Sequence, residues 1–415
     1  MCMTNVHKPT KRRPGKSERA KRRAAQVQGA LRQNSIQCSG HTRPVVDLHF
    51  SRLNDDKTYY VISASKDSVP MLRFGHTGDW IGSFKGHKGA VWSCTLSNDA
   101  SKAATGAADF TAKVWDCENG KAITSIDHNH IVRCVDFNET ANQLVTATNK
   151  FGIEIHDLKS PGKPIMNFNG HTDMIHRTMW LNDDQKIISV SKDKTIRLWD
   201  IKTGLESWNM TLDNMIYDLD LVGNKLICAC GNEISIWNLN SNDAQPVTLY
   251  QKFQTETKIL SASLHPSFDK MRFPSGEDSH NTFVCGGDDF LVYKYNIDTG
   301  TILDSCKAHF GSVHCVRYSP DGHLFASGSE DGTLRLWQNV LGENYGLWYL
   351  SSSEKSNTKS IMDIRKEIFF KKKKILMILV KMKTLISRGM KKMEAQRILT
   401  QKSTIYGQKQ VQQCE

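Results

Sequence analysis

The chain has 415 residues, a formal net charge of +12 and a hydrophobic content of 39%. This content is close to that of ordinary globular proteins, so the composition excludes a wholly disordered chain. The longest candidate apolar stretch, residues 375–380, has six residues and is flanked by lysines, so we expect no membrane-spanning helix. The first residues are basic and lack an apolar core, so we expect no secretory signal peptide.

The eleven cysteines and the absence of common catalytic and nucleotide-binding motifs limit the kinds of site that the sequence can form. The cysteine count is odd and no CxxC pair occurs, which argues against zinc motifs and a disulfide framework and fits a reducing compartment. The sequence contains no GxxxxGK[ST] loop, no GxGxxG that opens a helix and no HExxH motif. We therefore predict a protein that is not an enzyme and that has no metal and no cofactor.

The positive charge is concentrated at the two ends of the chain. Residues 1–35 contain ten Lys and Arg against one acidic residue, residues 341–415 contain sixteen against six, and the middle carries a net charge of −7. Both ends lack regular apolar periodicity. We predict flexible basic arms at 1–34 and 341–415 and a folded body at 35–340.

A repeat runs through the body. Three segments align without gaps: 22 residues separate a His from an Asp, and six more residues lead to a Trp. This Trp position recurs, mostly at intervals of 38 to 43 residues, at Arg73, Trp115, His156, Trp199, Trp237, Tyr295 and Trp337. The pattern resembles the WD-repeat family, in which each copy forms one four-stranded propeller blade. The resemblance predicts an all-β, seven-bladed WD-repeat β-propeller.

Two further features concern the ends of the body and its longest interval. Ser35 to Cys38 precede the first repeat and have no blade of their own. In WD-repeat propellers the first strand completes the last blade, so the resemblance predicts that this segment pairs outside the strand ending at Trp337, which removes an exposed edge. The one interval of 58 residues predicts an insertion, around Asp269 to Asn281, in a surface loop.

His, hydroxyl and carboxylate residues recur at fixed positions, as in a catalytic triad. An enzyme needs one such site and not several copies, so we interpret these sets as structural. In WD-repeat proteins Asp binds His, His binds the hydroxyl, and the hydroxyl meets the Trp N–H, so the buried polar groups are paired. Blades 3, 5 and 6 lack most of the set and are expected to be looser. The sets are His41, Ser63 and Asp67 (with Arg73 replacing Trp); His87, Thr105, Asp109 and Trp115; His171, Ser189, Asp193 and Trp199; and His309, Ser327, Asp331 and Trp337.

The resemblance also implies a protein-binding face around one end of the central channel. Three positions per blade line that face in WD-repeat propellers: three and five residues after the His, and one before the turn Asp. Aromatic residues, Met and Arg are favoured at interface cores. On this basis, with two neighbouring histidines, the predicted face comprises Lys66, Trp92, Arg133, Met174, His176, Lys192, Met215, Tyr217, Lys258, Leu260, Asp288, His314 and Glu330.

Several sequence segments are more distinctive than the general WD-repeat pattern. They include Cys38 to Leu48, Gly86 to Trp92, Ser261 to Pro266 and Tyr345 to Trp348. Over roughly residues 32–348 the chain resembles the family of serine/threonine kinase receptor-associated proteins. The resemblance implies a non-enzymatic adaptor, a monomer within a larger complex, that is cytoplasmic with a nuclear fraction. Its implied partners are gemin proteins of the SMN complex, which assembles spliceosomal small nuclear ribonucleoproteins, and the TGF-β receptor with inhibitory Smad.

Two alternatives stay open at the level of sequence. One is a scaffold like subunit i of translation initiation factor three, a related propeller. The other is RNA binding through the arms, where Lys11-Arg12-Arg13 and Lys21-Arg22-Arg23 offer phosphate contacts. The arms motivate this second hypothesis, since the body between them is acidic.

Overall fold

The computed structural model describes residues 35–181, 184–240, 246–268 and 281–339. The two predicted arms lie outside the described residues, and so does the predicted insertion apart from Asn281. In the described part of the chain no helix is long and apolar enough to cross a membrane.

The described residues form 27 strands, whose segments are rich in β-branched and aromatic residues and are separated by turns. In chain order they are β1 (Ile36–Cys38), β2 (Val45–Phe50), β3 (Tyr60–Ser65), β4 (Met71–Phe74), β5 (Trp80–Ser83), β6 (Val91–Leu96), β7 (Lys102–Ala107), β8 (Thr111–Asp116), β9 (Ala122–Asp127), β10 (Val132–Phe137), β11 (Gln143–Thr148), β12 (Ile153–Asp157), β13 (Met166–Phe168), β14 (Ile175–Trp180), β15 (Lys186–Ser191), β16 (Thr195–Asp200), β17 (Leu205–Thr211), β18 (Asp218–Val222), β19 (Lys225–Ala229), β20 (Gly231–Leu239), β21 (Val247–Leu264), β22 (Thr282–Gly287), β23 (Leu291–Asn296), β24 (Ile302–Lys307), β25 (Val313–Tyr318), β26 (Leu324–Ser329) and β27 (Leu334–Gln338).

The strands form antiparallel blades arranged in a ring. Blades 1 to 4 are the four-stranded sheets that begin at β2, β6, β10 and β14. The innermost strands contact one another in the order β2, β6, β10, β14, β18, β21, β25 and back to β2. The predicted all-β WD-repeat propeller is confirmed.

The last blade is completed by the first strand. β1 pairs antiparallel with β27, with Ile36 opposite Leu336 and Cys38 opposite Leu334. Cys38 is buried and packs in one cluster with both leucines. This pairing confirms the closure predicted from residues 35–38, and it covers the outer edge of β27.

Blades 5 and 6 differ from the seven separate sheets that the repeat predicts. They form one seven-stranded sheet, because the 18-residue strand β21 belongs to both. Residues 247–254 pair with β20, and residues 259–264 pair with β22. No Gly or Pro interrupts residues 247–264, so the backbone continues as a strand where other blades turn.

Small residues let neighbouring blades approach at the second strand. A Cβ atom on Gly106, Gly286 or Gly328 would lie only 2.6–2.7 Å from a Val Cγ1 of the next blade's inner strand. Ala64, Ala147 and Ala229 hold the corresponding places in blades 1, 3 and 5, and all three are buried. Blade 4 carries the larger, buried Val190 at this place, so interblade packing limits side-chain volume here in the other six blades.

The substitution Gly328→Ala tests this limit where blade 7 meets blade 1. The added Cβ would lie 2.6 Å from both Val45 Cγ1 and Cys315 Sγ. We expect the free energy of unfolding in urea to fall by about 1–3 kcal/mol through overpacking. Gly82→Ala is the control, since its Cβ would meet nothing within 4 Å. Equal stability of the two variants would contradict the packing argument.

Candidate functional site

In three blades a buried hydrogen-bond chain joins a turn aspartate to the tryptophan. His Nδ1 lies 2.8–3.0 Å from the Asp carboxylate, His Nε2 lies 2.7 Å from the hydroxyl, and Trp Nε1 donates to the same hydroxyl at 2.8 Å. Because Trp can only donate, the hydroxyl donates to Nε2, and the neutral imidazole carries its proton on Nδ1. The three chains are His87, Thr105, Asp109 and Trp115; His171, Ser189, Asp193 and Trp199; and His309, Ser327, Asp331 and Trp337.

The surroundings of each hydrogen-bond chain keep its Asp charged and its His neutral. Burial by itself raises the pKa of Asp193, but hydrogen bonds from Thr195, His171 and backbone N–H groups outweigh it and hold this pKa at about 2. Asp331 is held at a pKa of about 2 in the same way. Burial lowers the pKa of His171 and of His309, and their aspartates oppose the shift only in part.

Blade 1 keeps the Asp, His and hydroxyl of the hydrogen-bond chain but has no Trp to complete it. His41 lies 2.8 Å from both Asp67 and Ser63. Arg73 occupies the Trp position and is buried. Its guanidinium donates to the backbone oxygens of Gly78 and Ser39 instead of to a hydroxyl. The arginine therefore links β4 to the loop that follows it and to the end of the closing strand.

Blade 3 keeps more of the set than the sequence analysis recognised. His128 stands 22 residues before Lys150, which replaces the Asp, and Thr146 takes the hydroxyl position. His156 replaces the Trp and is buried. Glu154, two residues before it, lies between the two imidazoles.

Blades 5 and 6 pair their polar groups differently. In blade 5 Trp237 Nε1 donates to Ser235 at 2.9 Å, and Ser235 lies on the same strand as the Trp. Cys228 takes the usual hydroxyl position opposite Ser235. In blade 6 the Tyr293 hydroxyl donates to Asp289 at 2.6 Å. Blade 5 thus uses a serine hydroxyl, and blade 6 a tyrosine hydroxyl, that the repeat pattern does not mark.

A cavity of about 190 Å³ lies at one mouth of the central channel, and every blade contributes at least one residue to its lining. Seven of the lining residues were predicted for the protein-binding face. Five were not: Val46, Asp47, Arg177, Asp218 and Cys315. The predicted residues that the structure brings together here are Lys66, Trp92, Arg133, His176, Tyr217, Leu260 and His314.

The remaining predicted residues lie around this cavity or away from it. Lys258 lies 4.5 Å above the Tyr217 ring and 3.7 Å from Asp288. Glu330 pairs with Lys66 at 3.4 Å and also binds His314. Lys258, Asp288 and Glu330 are not in its lining, and neither are three others. Met215 contacts the Tyr217 hydroxyl through its sulfur, Lys192 pairs with Asp173 at 3.9 Å, and the Met174 backbone oxygen accepts from the Lys192 N–H. That these residues bind a partner stays a prediction.

Trp92 is the centre of a cation–aromatic cluster. The Arg133 guanidinium lies 3.9 Å from the Trp92 ring, and Lys66 Nζ lies 5.8 Å from it. The Trp92 indole N–H is buried and has no hydrogen-bond partner. Burial lowers the pKa of Arg133 to about 10. In the described ranges no carboxylate lies within 4 Å of this guanidinium, so the charge is desolvated without a counterion.

The WD domain, G-beta repeat family matches residues 78–116, 162–200 and 300–338. These are the three copies with complete hydrogen-bond chains. The mouse serine-threonine kinase receptor-associated protein (Mus musculus) is 47% identical over 77% of this chain and 86% of its own length, and the chicken protein (Gallus gallus) is 45% identical over 80% and 90%. Eukaryotic translation initiation factor 3 subunit I of Drosophila grimshawi is 27% identical over 72% and 95%.

The chain belongs to the serine-threonine kinase receptor-associated protein family. Its relatives at 45–47% identity carry that name and cover most of the propeller. The chain is therefore a WD-repeat scaffold of this family, and the initiation-factor subunit is a more distant relative.

Beneath the mouth, buried ion pairs that the repeat pattern does not predict cross the central channel. Arg177 of blade 4 donates to both carboxylate oxygens of Asp47 in blade 1 at 2.8 Å. Arg317 of blade 7 binds Asp218 of blade 5 at 2.6 and 2.7 Å. Burial alone would lower the pKa of Arg177, but Asp47 raises it well above its usual value. Both pairs join blades that are not neighbours in the ring.

A repeated β-bulge explains why Asp47 and Arg177 face the channel. In six blades the inner strand shifts register after its first residue pair with the second strand, as between Val45 and Asp47 or between Ile175 and Arg177. Two consecutive side chains then point inward. Polar residues six positions after the repeat His, such as Asp47 and Arg177, were the available signal.

Removing one hydroxyl tests how much a buried hydrogen-bond chain contributes to the stability of the fold. Ser189→Ala leaves Trp199 Nε1 without its acceptor and His171 Nε2 without its donor in a buried site, so we expect a loss of about 1–3 kcal/mol in the free energy of unfolding. The control is Ser125→Ala, whose exposed hydroxyl binds only Lys113. A loss no larger than that of the control would contradict the assigned role.

The chains also predict how stability depends on pH. The pKa values of Asp193 and Asp331 lie near 2 in the fold, against about 3.9 when unfolded, so their stabilisation is complete above about pH 4 and is lost toward pH 2. The lowered pKa of His171 means that stability already declines as the pH falls below about 6.5. Urea unfolding between pH 7 and pH 3 should show a continuous decline, and a flat profile would contradict it.

Proposed function

We propose that this protein is a scaffold without catalytic activity of its own and that it holds partner proteins on the channel-mouth face. We further propose gemin proteins of the SMN complex as partners, in the assembly of spliceosomal small nuclear ribonucleoproteins, in the cytoplasm with a nuclear fraction. A role beside the TGF-β receptor and inhibitory Smad is the second part of the proposal. The family membership supports it, since the relatives' name states association with a kinase receptor.

The burial of the hydroxyls supports a structural, not a catalytic, role for the repeated His, hydroxyl and Asp residues. Thr105, Ser189 and Ser327 have no solvent exposure. Each also accepts the Trp N–H, so its oxygen is engaged away from any surface. A nucleophile has to reach its substrate, and these hydroxyls lie inside the blades.

The Trp92–Arg133 cluster is the observation that carries the binding surface. A large ring beside a desolvated cation has the composition of an interface hot spot. Arg133 has no carboxylate partner within the described structure, and the Trp92 N–H has no acceptor. A carboxylate on the partner protein would pair with this guanidinium, so we propose that the bound segment places an acidic side chain here.

The other titratable groups on this face favour Arg133 as the contact for the partner's acidic side chain. Burial, with Arg133 nearby, lowers the pKa of His176 to about 4, so this imidazole is neutral at physiological pH. Lys66 and Lys258 are already paired with Glu330 and Asp288. Arg177, which also lines the cavity, is paired with Asp47. Among the described residues, Arg133 is thus the cation of the cavity lining that is left to receive an acid.

The pair Trp92→Ala and Arg133→Ala tests the proposal in affinity purification of the full chain with mass spectrometry. We expect each variant to reduce recovery of gemin and SMN proteins about tenfold or more, since truncated hot spots typically cost 2 kcal/mol or more. The matched control is Trp80→Ala: this Trp is 60% exposed on β5 at the rim of blade 1. Samples are treated with nuclease before capture.

The outcomes separate the alternatives. Undiminished recovery with both face variants would overturn the proposed surface. Initiation-factor subunits in place of gemins would favour the more distant relatives' role, although 27% identity against 47% speaks for the first proposal. Loss of all partners on nuclease treatment would favour RNA binding through the basic arms.

A further inference from the structure

Blade 3 places two imidazoles and a carboxylate where other blades have a hydrogen-bond chain. His128 precedes β10 and occupies the repeat His position, while Glu154 and His156 lie on β12. Lys150, which replaces the turn Asp, is exposed. The carboxylate that meets His128 therefore comes from inside the blade and not from the turn.

The three ligand atoms have the spacing of a metal site. Glu154 Oε2 lies 3.1 Å from His128 Nδ1 and 3.2 Å from His156 Nε2. The ring planes are perpendicular, with centroids 5.2 Å apart. Zinc binds nitrogen and carboxylate oxygen at about 2.0–2.2 Å in a tetrahedron, which places neighbouring ligand atoms roughly 3.3 Å apart. All three ligand atoms lie within 4.8 Å of one another, so a cation fits among them once they close to that spacing.

Hydrogen bonding leaves this cluster incompletely satisfied. The side chain of His128 has no exposure and that of His156 has 2%. Both ring nitrogens of His128 and Nδ1 of His156 have no hydrogen-bond partner. His128 Nδ1 approaches the carboxylate without the alignment of a hydrogen bond. By contrast, both ring nitrogens of His87 are bonded in blade 2. Buried polar groups without partners are rare, and these ring nitrogens are free to bind a ligand.

We propose that His128, Glu154 and His156 bind a divalent transition-metal cation of the Zn²⁺ class. Two imidazoles with one carboxylate are a known zinc donor set. The Glu154 side chain is 32% exposed, so solvent reaches the site and supplies the fourth ligand. The cation ties the segment before β10 to β12 and takes over the role of the missing Trp in this blade. The proposal departs from the expectation of no metal. Glu154 and His156 lie 26 and 28 residues after His128, a spacing that matches no short metal motif.

The test uses the full chain after removal of metals by a chelator, with Zn²⁺ and Co²⁺ as probes. We expect calorimetry to show one tight Zn²⁺ site per chain and thermal unfolding to shift upward on addition of Zn²⁺. Glu154→Gln should weaken binding by about 100-fold or more, since even residues beside metal ligands matter 10- to 100-fold. His314→Gln is the matched control, because this His also pairs with a carboxylate, Glu330, but has no second imidazole beside it.

The Co²⁺ complex of the unsubstituted chain keeps the proposal testable if Glu154→Gln does not fold. We expect the visible spectrum of four-coordinate Co²⁺ with nitrogen and oxygen ligands, without a thiolate charge-transfer band. A thiolate band would assign binding to cysteine and overturn the proposal. So would the absence of a stoichiometric site, or equal affinity in a folded Glu154→Gln variant. In a folded Glu154→Gln variant, the upward shift of thermal unfolding on addition of Zn²⁺ should be absent.

Discussion

The pairing of β1 with β27 is the constraint on which the propeller depends. Each blade buries its faces against two neighbours, and this is possible for all seven only if the ring closes. Residues from opposite ends of the described chain make that closure, with Ile36 opposite Leu336. Small side chains such as Gly328 bring the last blade close enough to the first for their inner strands to pack.

A closed ring buries many polar groups, and the blades solve this problem in several ways. Three use Asp, His, a hydroxyl and Trp, whereas blade 5 moves the hydroxyl to Ser235 on the Trp strand. In the channel the solution is charge pairing, as between Asp47 and Arg177. Removing one member of such a buried pair is costly, so the platform under Trp92 and Arg133 is held by bonds across the ring as well as around it.

Much of this architecture could be predicted from repeated spacing alone. The intervals of 22 and six residues locate the hydrogen-bond chains, and offsets from His87 and His171 find the residues of the channel mouth. The rest depends on contacts that spacing does not encode. The Arg177–Asp47 pair spans 130 residues and needs a bulge to turn both side chains inward. The approach of Glu154 to His128 arises from side-chain packing inside a degenerate copy.

The continuous strand β21 changes how the ring is divided mechanically. Five blades are joined to their neighbours by side-chain packing and loops, but blades 5 and 6 share one hydrogen-bonded backbone over residues 247–264. Local unfolding of one of these blades also breaks backbone hydrogen bonds of the other. We therefore expect the two blades to open as one cooperative unit, so that the seven blades form six such units.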